Sequence, residues 1–127
     1  MKKTILAIDD NEDFLLTLRD MLQGEGYDVV TLSDPSKAEE YVDLHSPDLI
    51  MIDVFMPERS GFNIVEDFRE RGLYLEIPKI FLTCLDDDVE KMTAKACGVG
   101  HYITKPFHPE ELLIMVKNAL KGTPGIN

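Results

Sequence analysis

Residues 48–53 read DLIMID, four consecutive apolar side chains closed at each end by an aspartate. A strand with one wet face alternates apolar and polar residues. An unbroken apolar run of this length instead fits a strand buried on both faces, the central strand of a parallel sheet. Pro47, just before it, ends whatever helix precedes it.

Upstream, short apolar runs alternate with helical stripes. Thr4 to Ile8 favours a strand. Asp13 to Gln23 carries Phe14, Leu15, Leu18, Met21 and Leu22 at helical spacing, and Gly24 and Gly26 stop it. Tyr27 to Leu32 is a second strand. Ser33-Asp34-Pro35 starts a helix, with a capping side chain and proline in the first turn; Ala38, Tyr41 and Val42 form its inward face.

Downstream the alternation continues. Gly61 to Arg71 carries Ile64, Val65 and Phe68 at helical spacing, and Ile77 to Leu82 is a fourth strand. Asp86-Asp87-Asp88 opens the next helix as a solvated start, where negative charge suits a helix N-terminus, and Gly98 closes it. His101 to Thr104 is a fifth strand. Pro109 to Leu120 is a last helix with Leu112, Leu113, Val116, Ala119 and Leu120 turned inward. Five strand–helix units in strict alternation predict an α/β domain: a parallel sheet with helices on both faces and right-handed crossovers. Ligands in such sheets bind beyond the carboxyl ends of the strands, near the switch in strand order.

Composition narrows the function. The chain has 127 residues, 44% of them hydrophobic and 29% charged, enough for one domain with a substantial core. No apolar run approaches about 18 residues, so no membrane-spanning helix is expected. In the opening MKKTILAIDD, Asp9 and Asp10 cut the apolar stretch short, and it reads as a first strand rather than a signal peptide. A net charge of −11 would repel a phosphate backbone, which argues against direct nucleic-acid binding. Cys84 and Cys97 form no CxxC pair and have no histidine at zinc-ligand spacing. They read as buried, reduced thiols of a cytoplasmic protein. His45, His101 and His108 read as structural or exposed, and Met51, Met56, Met92 and Met115 as core or loop packing.

The predicted strand ends carry the chemistry. Strand one ends in Asp9-Asp10, strand three in Asp53, strand four in Leu82-Thr83 and strand five in Lys105-Pro106. Two carboxylates about 5 Å apart repel by roughly 3 kcal/mol at an effective dielectric near 20. Three together need a cation or raised pKa values. A hard cation with oxygen ligands, Mg²⁺ foremost, answers this and leaves positions for phosphate oxygens. Lys105 adds a point charge for a phosphoryl group, and the Thr83 hydroxyl can donate to one of its oxygens. A carboxylate in such a place can act as a nucleophile toward a phosphoryl donor; Asp9, Asp10 and Asp53 are the candidates. Glu12 and Asp13 serve the first helix N-terminus instead.

In combination and order these motifs are specific: Asp9-Asp10, then DVFMPERSG from Asp53 to Gly61, then Thr83, then Tyr102-Ile103-Thr104-Lys105-Pro106-Phe107. From residue 3 to about 121 the chain resembles a receiver domain of the two-component response regulators, of the kind that includes the chemotaxis response regulator. The resemblance implies a flavodoxin-like, doubly wound sheet of five strands in the order 2-1-3-4-5 with five helices. It implies that Asp53 accepts a phosphoryl group from a histidine kinase or a histidine phosphotransfer protein. Asp10 would be the main metal-ligating acid, with Asp9 ligating Mg²⁺ directly or through water, and Asp53 and the backbone carbonyl of Phe55 as further protein ligands. Thr83 and Lys105 would bind the phosphoryl oxygens, Tyr102 would be the switch aromatic, and the bond before Pro106 would be cis. Phosphorylation would remodel the face of the fourth helix, fifth strand and fifth helix. There a downstream effector, an output domain or a second copy in a phosphorylation-dependent homodimer would bind. Such a domain is no enzyme beyond catalysing its own aspartyl phosphorylation and dephosphorylation.

Residues 1–121 are expected to form the domain, and 122–127 a C-terminal tail or the start of a linker. Both a stand-alone receiver and a piece of a longer regulator fit this. Two departures stand out: Cys84 is bulkier than the family's usual residue after the threonine and narrows access to the pocket, while Phe55 and Leu85 place apolar side chains at variable positions that tune phosphoryl lifetime. Its thiol is otherwise expected to pack inertly. The competing reading is a Mg²⁺-dependent aspartyl phosphatase of the haloacid-dehalogenase type. That chemistry needs DxD after the first strand, and Asn11 stands two positions after Asp9. A flavin-binding flavodoxin is disfavoured, because four acids in the first loop would repel its phosphate.

Overall fold

The computed structural model describes residues 2–84 and 88–122. Among them the elements run β1 (Thr4–Ile8), α1 (Glu12–Gln23), β2 (Asp28–Leu32), a 3-10 turn (Pro35–Lys37) leading into α2 (Ala38–His45), β3 (Leu49–Asp53), α3 (Gly61–Glu70), β4 (Lys79–Thr83), α4 (Asp88–Ala96), β5 (His101–Thr104) and α5 (Pro109–Leu120). All neighbours pair in parallel, in the order β2-β1-β3-β4-β5. The order switches between β1 and β3, whose carboxyl ends carry Asp9 and Asp53.

The pleat divides the core in two, because successive strand residues face opposite sides. Leu6, Ile8, Ile50, Ile52, Phe81 and Tyr102 pack against α2, α3 and α4. Ile5, Ala7, Leu49, Met51, Ile80, Leu82 and Ile103 pack against α1 and α5. All five residues of β3 are buried, as the unbroken apolar run requires.

Several boundaries move by a residue or two for identifiable reasons. Asn11 caps α1 by accepting from the Phe14 N–H, so the helix starts at Glu12. Gly26, at φ 92°, provides the left-handed turn after α1. Tyr27 is not in β2, because its N–H bonds back to the Leu22 carbonyl at 3.3 Å. The fourth strand starts at Lys79 rather than Ile77: Pro78 has no N–H for the ladder and offers only its carbonyl, which accepts from Ile50 at 3.1 Å. Arg71 is the C-cap of α3 rather than its last turn. Cys84 is exposed, a correction to the expected buried, packed thiol; it lies one residue past the end of β4, where the ladder no longer encloses it. Cys97 is buried, and both thiols are free. Met92 is 70% exposed on α4, so it does not pack as expected. Leu85, Asp86, Asp87 and the tail from 123 lie outside the described residues. Among the described residues no helix is long and apolar enough to cross a membrane.

Gly61 sets how closely α3 follows β3. Its N–H donates to the Val54 carbonyl at 2.9 Å. A Cβ there would lie 2.5 Å from the Asp53 carbonyl oxygen and 2.9 Å from Ile52 Cγ2. The nearer contact is backbone, so the strand end itself would have to shift. Gly61→Ala is therefore expected to lower the unfolding free energy by about 1–3 kcal/mol, read as a lower urea midpoint at unchanged slope.

Candidate functional site

The carboxyl edge of the sheet is held by hydrogen bonds that extend the ladders past the last strand residues. The Asp9 N–H donates to Leu32 O at 3.1 Å, that of Val54 to Leu82 O at 2.8 Å, and that of Lys105 to Thr83 O at 2.6 Å. The first holds the residue carrying the Asp9 carboxylate; the last fixes the backbone from which Lys105 reaches inward. The Lys105–Pro106 bond is cis.

Asp9, Asp10 and Asp53 each offer a carboxylate oxygen to a cluster spanning no more than 4.8 Å. Asp9 and Asp53 are buried, at 1% and 6% exposure, while Asp10 is exposed. One Asp9 oxygen accepts from the Asn11 N–H at 2.9 Å, and the other accepts from Lys105 Nζ at 2.6 Å. Lys105 Nζ also lies 3.7 Å from Asp53 Oδ1. Three acids thus face one ammonium. Burial pushes the Asp53 carboxyl up to about 6, with the Asp9 charge adding to it and Lys105 and the Phe55 N–H opposing. The donor set is all hard oxygen and short of positive charge, which fits a small divalent cation.

Thr83 and Tyr102 are also buried, at 0% and 6% exposure. Their hydroxyls both donate to Glu90 Oε2, at 3.2 Å and 3.0 Å. The structure therefore brings Asp9, Asp10, Asp53 and Lys105 together at one edge, with Thr83 at the end of the adjoining strand and Tyr102 beside it. Phe55, two residues after Asp53, is 45% exposed.

The sequence matches the family described as response regulator receiver domain over residues 5–117. The chain belongs to that family. It is 36% identical over 121 residues to the alkaline phosphatase synthesis transcriptional regulatory protein PhoP of Bacillus subtilis, covering 95% of this chain and 50% of that protein. It is 31% identical to the regulatory protein VanRc of Enterococcus gallinarum, covering 95% and 51%. The chain thus spans about half the length of these curated relatives. Among solved structures it resembles the chemotaxis protein CheY4 of Vibrio cholerae, with a TM-score of 0.87 at 31% identity, covering 94% of this chain and 99% of that one. It also resembles the response regulator DrrB of Thermotoga maritima, with a TM-score of 0.84 at 29% identity, covering 100% and 57%. The receiver domain of a two-component response regulator is therefore what this chain forms, with the strand order expected of it. The dehalogenase-type phosphatase reading finds no support in these matches.

Two residues of the site went unread in the sequence. Phe14, assigned to the core stripe of α1, places its ring under Lys105 Nζ at 4.1 Å from the centroid and meets Phe107 edge-on at 6.1 Å. Glu90 was indistinguishable from the other acids at the start of α4. A helix-period count marks Phe14 as inward but does not show that its neighbour there is an ammonium.

The raised Asp53 carboxyl carries a stability consequence. The folded state holds that proton more tightly than the unfolded chain, so stability falls as pH rises from about 4 to about 6 and the penalty is full above that. Asp53→Asn removes the penalty, while Lys105 keeps Asp9 as its nearer partner. Without divalent cations the variant is expected to be more stable than wild type by on the order of 1 kcal/mol at pH 7.5, and the gain should vanish near pH 4. Urea unfolding at the two pH values checks this.

Proposed function

We propose that this domain accepts a phosphoryl group on Asp53 and thereby switches a partner-binding face. The observation carrying this is the convergence of Asp9, Asp10 and Asp53 within 4.8 Å, with the Lys105 ammonium 3.7 Å from Asp53. In the ionised form an Asp53 oxygen attacks the phosphorus of a phosphohistidine on a histidine kinase or phosphotransfer protein. A P–O bond forms, the P–N bond breaks, and its electron pair returns to the imidazole. Lys105 offsets the charge that the incoming phosphoryl oxygens bring, and the Thr83 hydroxyl donates to one of them.

Asp9, Asp10, Asp53 and the Phe55 carbonyl are the groups that would hold Mg²⁺, which when bound neutralises phosphoryl and carboxylate charge at the edge. Thr83 and Tyr102 carry the change toward α4, β5 and α5, where an effector protein, an output domain or a second copy would bind. Residues 1–121 form the domain under this reading, and 122–127 a tail or linker. The domain turns over no separate substrate; its chemistry is gain and loss of its own aspartyl phosphate. With a net charge of −11, contact with nucleic acid is left to another domain or protein.

Two measurements test the reading. With Mg²⁺ and acetyl phosphate, intact mass should show one added phosphoryl group on wild type and none on Asp53→Asn; equal labelling of both would sink it. Mg²⁺ at about a hundredfold over its Kd should raise Tm by roughly 5–10 °C. Asp10→Ala should lose most of that response.

A further inference from the structure

Thr83 and Tyr102 sit on adjacent strands, offset in register: Phe81 pairs with Tyr102, and Thr83 with Thr104. By the pleat, Thr83 shares the face of Phe81, which packs with Tyr102, with Ala94 of α4 and with Cys97 just past that helix. Glu90, in the first turn of α4, reaches back onto this face. A single oxygen, Oε2, accepts from Thr83 Oγ1 at 3.2 Å and from the Tyr102 hydroxyl at 3.0 Å. Buried hydroxyls require acceptors, and an ionised carboxylate is a strong one.

We propose that Glu90 is a positioning residue that holds the unphosphorylated state, tying Thr83 and Tyr102 to one carboxylate oxygen. This rests on the reading that a phosphoryl group on Asp53 recruits the Thr83 hydroxyl. A threonine hydroxyl has one proton, so it cannot donate to Glu90 and to a phosphoryl oxygen at once. Glu90 therefore binds one state in preference to the other, which is what allows a group to set a two-state equilibrium. When Thr83 turns to the phosphoryl group, Oε2 loses the Thr83 donor, and Tyr102 loses the neighbour that shared its acceptor. The acid thus opposes phosphoryl recognition and couples Thr83 to Tyr102.

The test is calorimetric titration with beryllofluoride and Mg²⁺, a non-covalent stand-in for the phosphoryl group. Glu90→Ala should bind it about tenfold more tightly than wild type. Glu90→Gln also loses the charge but keeps a neutral acceptor oxygen, so its gain should be clearly smaller. In a Thr83→Val background the added Glu90→Ala change should alter affinity by less than about twofold, because the coupling runs through the lost hydroxyl. In fluorotyrosine-labelled protein without ligand, the ¹⁹F resonance absent from Tyr102→Phe should shift in Glu90→Ala.

Equal affinity of wild type and Glu90→Ala would overturn the proposal and leave Asp53 as acceptor untouched. So would equal gains in Gln and Ala, which would mark a simple charge effect, or a full gain in the Thr83→Val background. Failure of wild type itself to bind beryllofluoride would instead remove the acceptor reading, and this proposal with it. Should Glu90→Ala not fold, Glu90→Met, of similar length and without an acceptor oxygen, carries the same expectation.

Discussion

Two nearly buried aspartates, Asp9 and Asp53, end neighbouring strands at the point where the sheet order switches, and Lys105 is the cation beside them. Water would hold these carboxylates apart and solvate each. Here the ladder between β1 and β3 prevents them from separating, because both strands are covered on both faces by apolar side chains. Burial first, and the Asp9 charge second, raise the Asp53 carboxyl, while Lys105 offsets part of the charge through its contact with Asp9. Acids held in place by the ladder and short of positive charge are what the proposed cation and phosphoryl binding would need.

That rigidity has local causes, each on a different element. Gly61 lets α3 begin against the Asp53 carbonyl, where any side chain would push the strand end aside. The Lys105 N–H is fastened to Thr83 O, so the backbone from which the ammonium extends is tied to the strand that carries the hydroxyl. Phe14, steadied edge-on by Phe107, gives the ammonium an aromatic face in addition to its carboxylate partners. The apolar stripe of α1 therefore also has a part in the site, at its first turn.

The architecture was legible because parallel strands buried on both faces write themselves as short apolar runs, and β3 does so without interruption. The acids and the lysine were legible because a strand end is a predictable address in this topology. What escaped was set by single atoms rather than by pattern. Pro78 and the Tyr27 N–H trimmed two strands through hydrogen bonds that period counting does not see. Cys84 was expected inside from its residue type, but one step past the last ladder pair is enough to expose it. Met92 faces solvent because its helix turns other residues inward. Glu90 was hidden among several acids at a helix start, where helix dipole and solvation explain any one of them; only the shared oxygen sets it apart.

The pleat also explains why an acid on α4 can reach the Thr83 hydroxyl. Asp53 continues the face of Leu49 and Met51, toward α1 and α5, whereas Thr83 continues the face of Phe81, toward α4. Thr83 is still paired in the ladder, opposite Thr104, so its Cα direction is fixed. Its buried hydroxyl thus starts on the side of the sheet away from the carboxylates and needs an acceptor there. Any residue supplying that acceptor from α4 would weigh against a turn of the hydroxyl toward Asp53. Glu90 supplies it with the same oxygen that serves Tyr102, so the strand alternation that builds the sheet also decides which helix can sense a change at its edge.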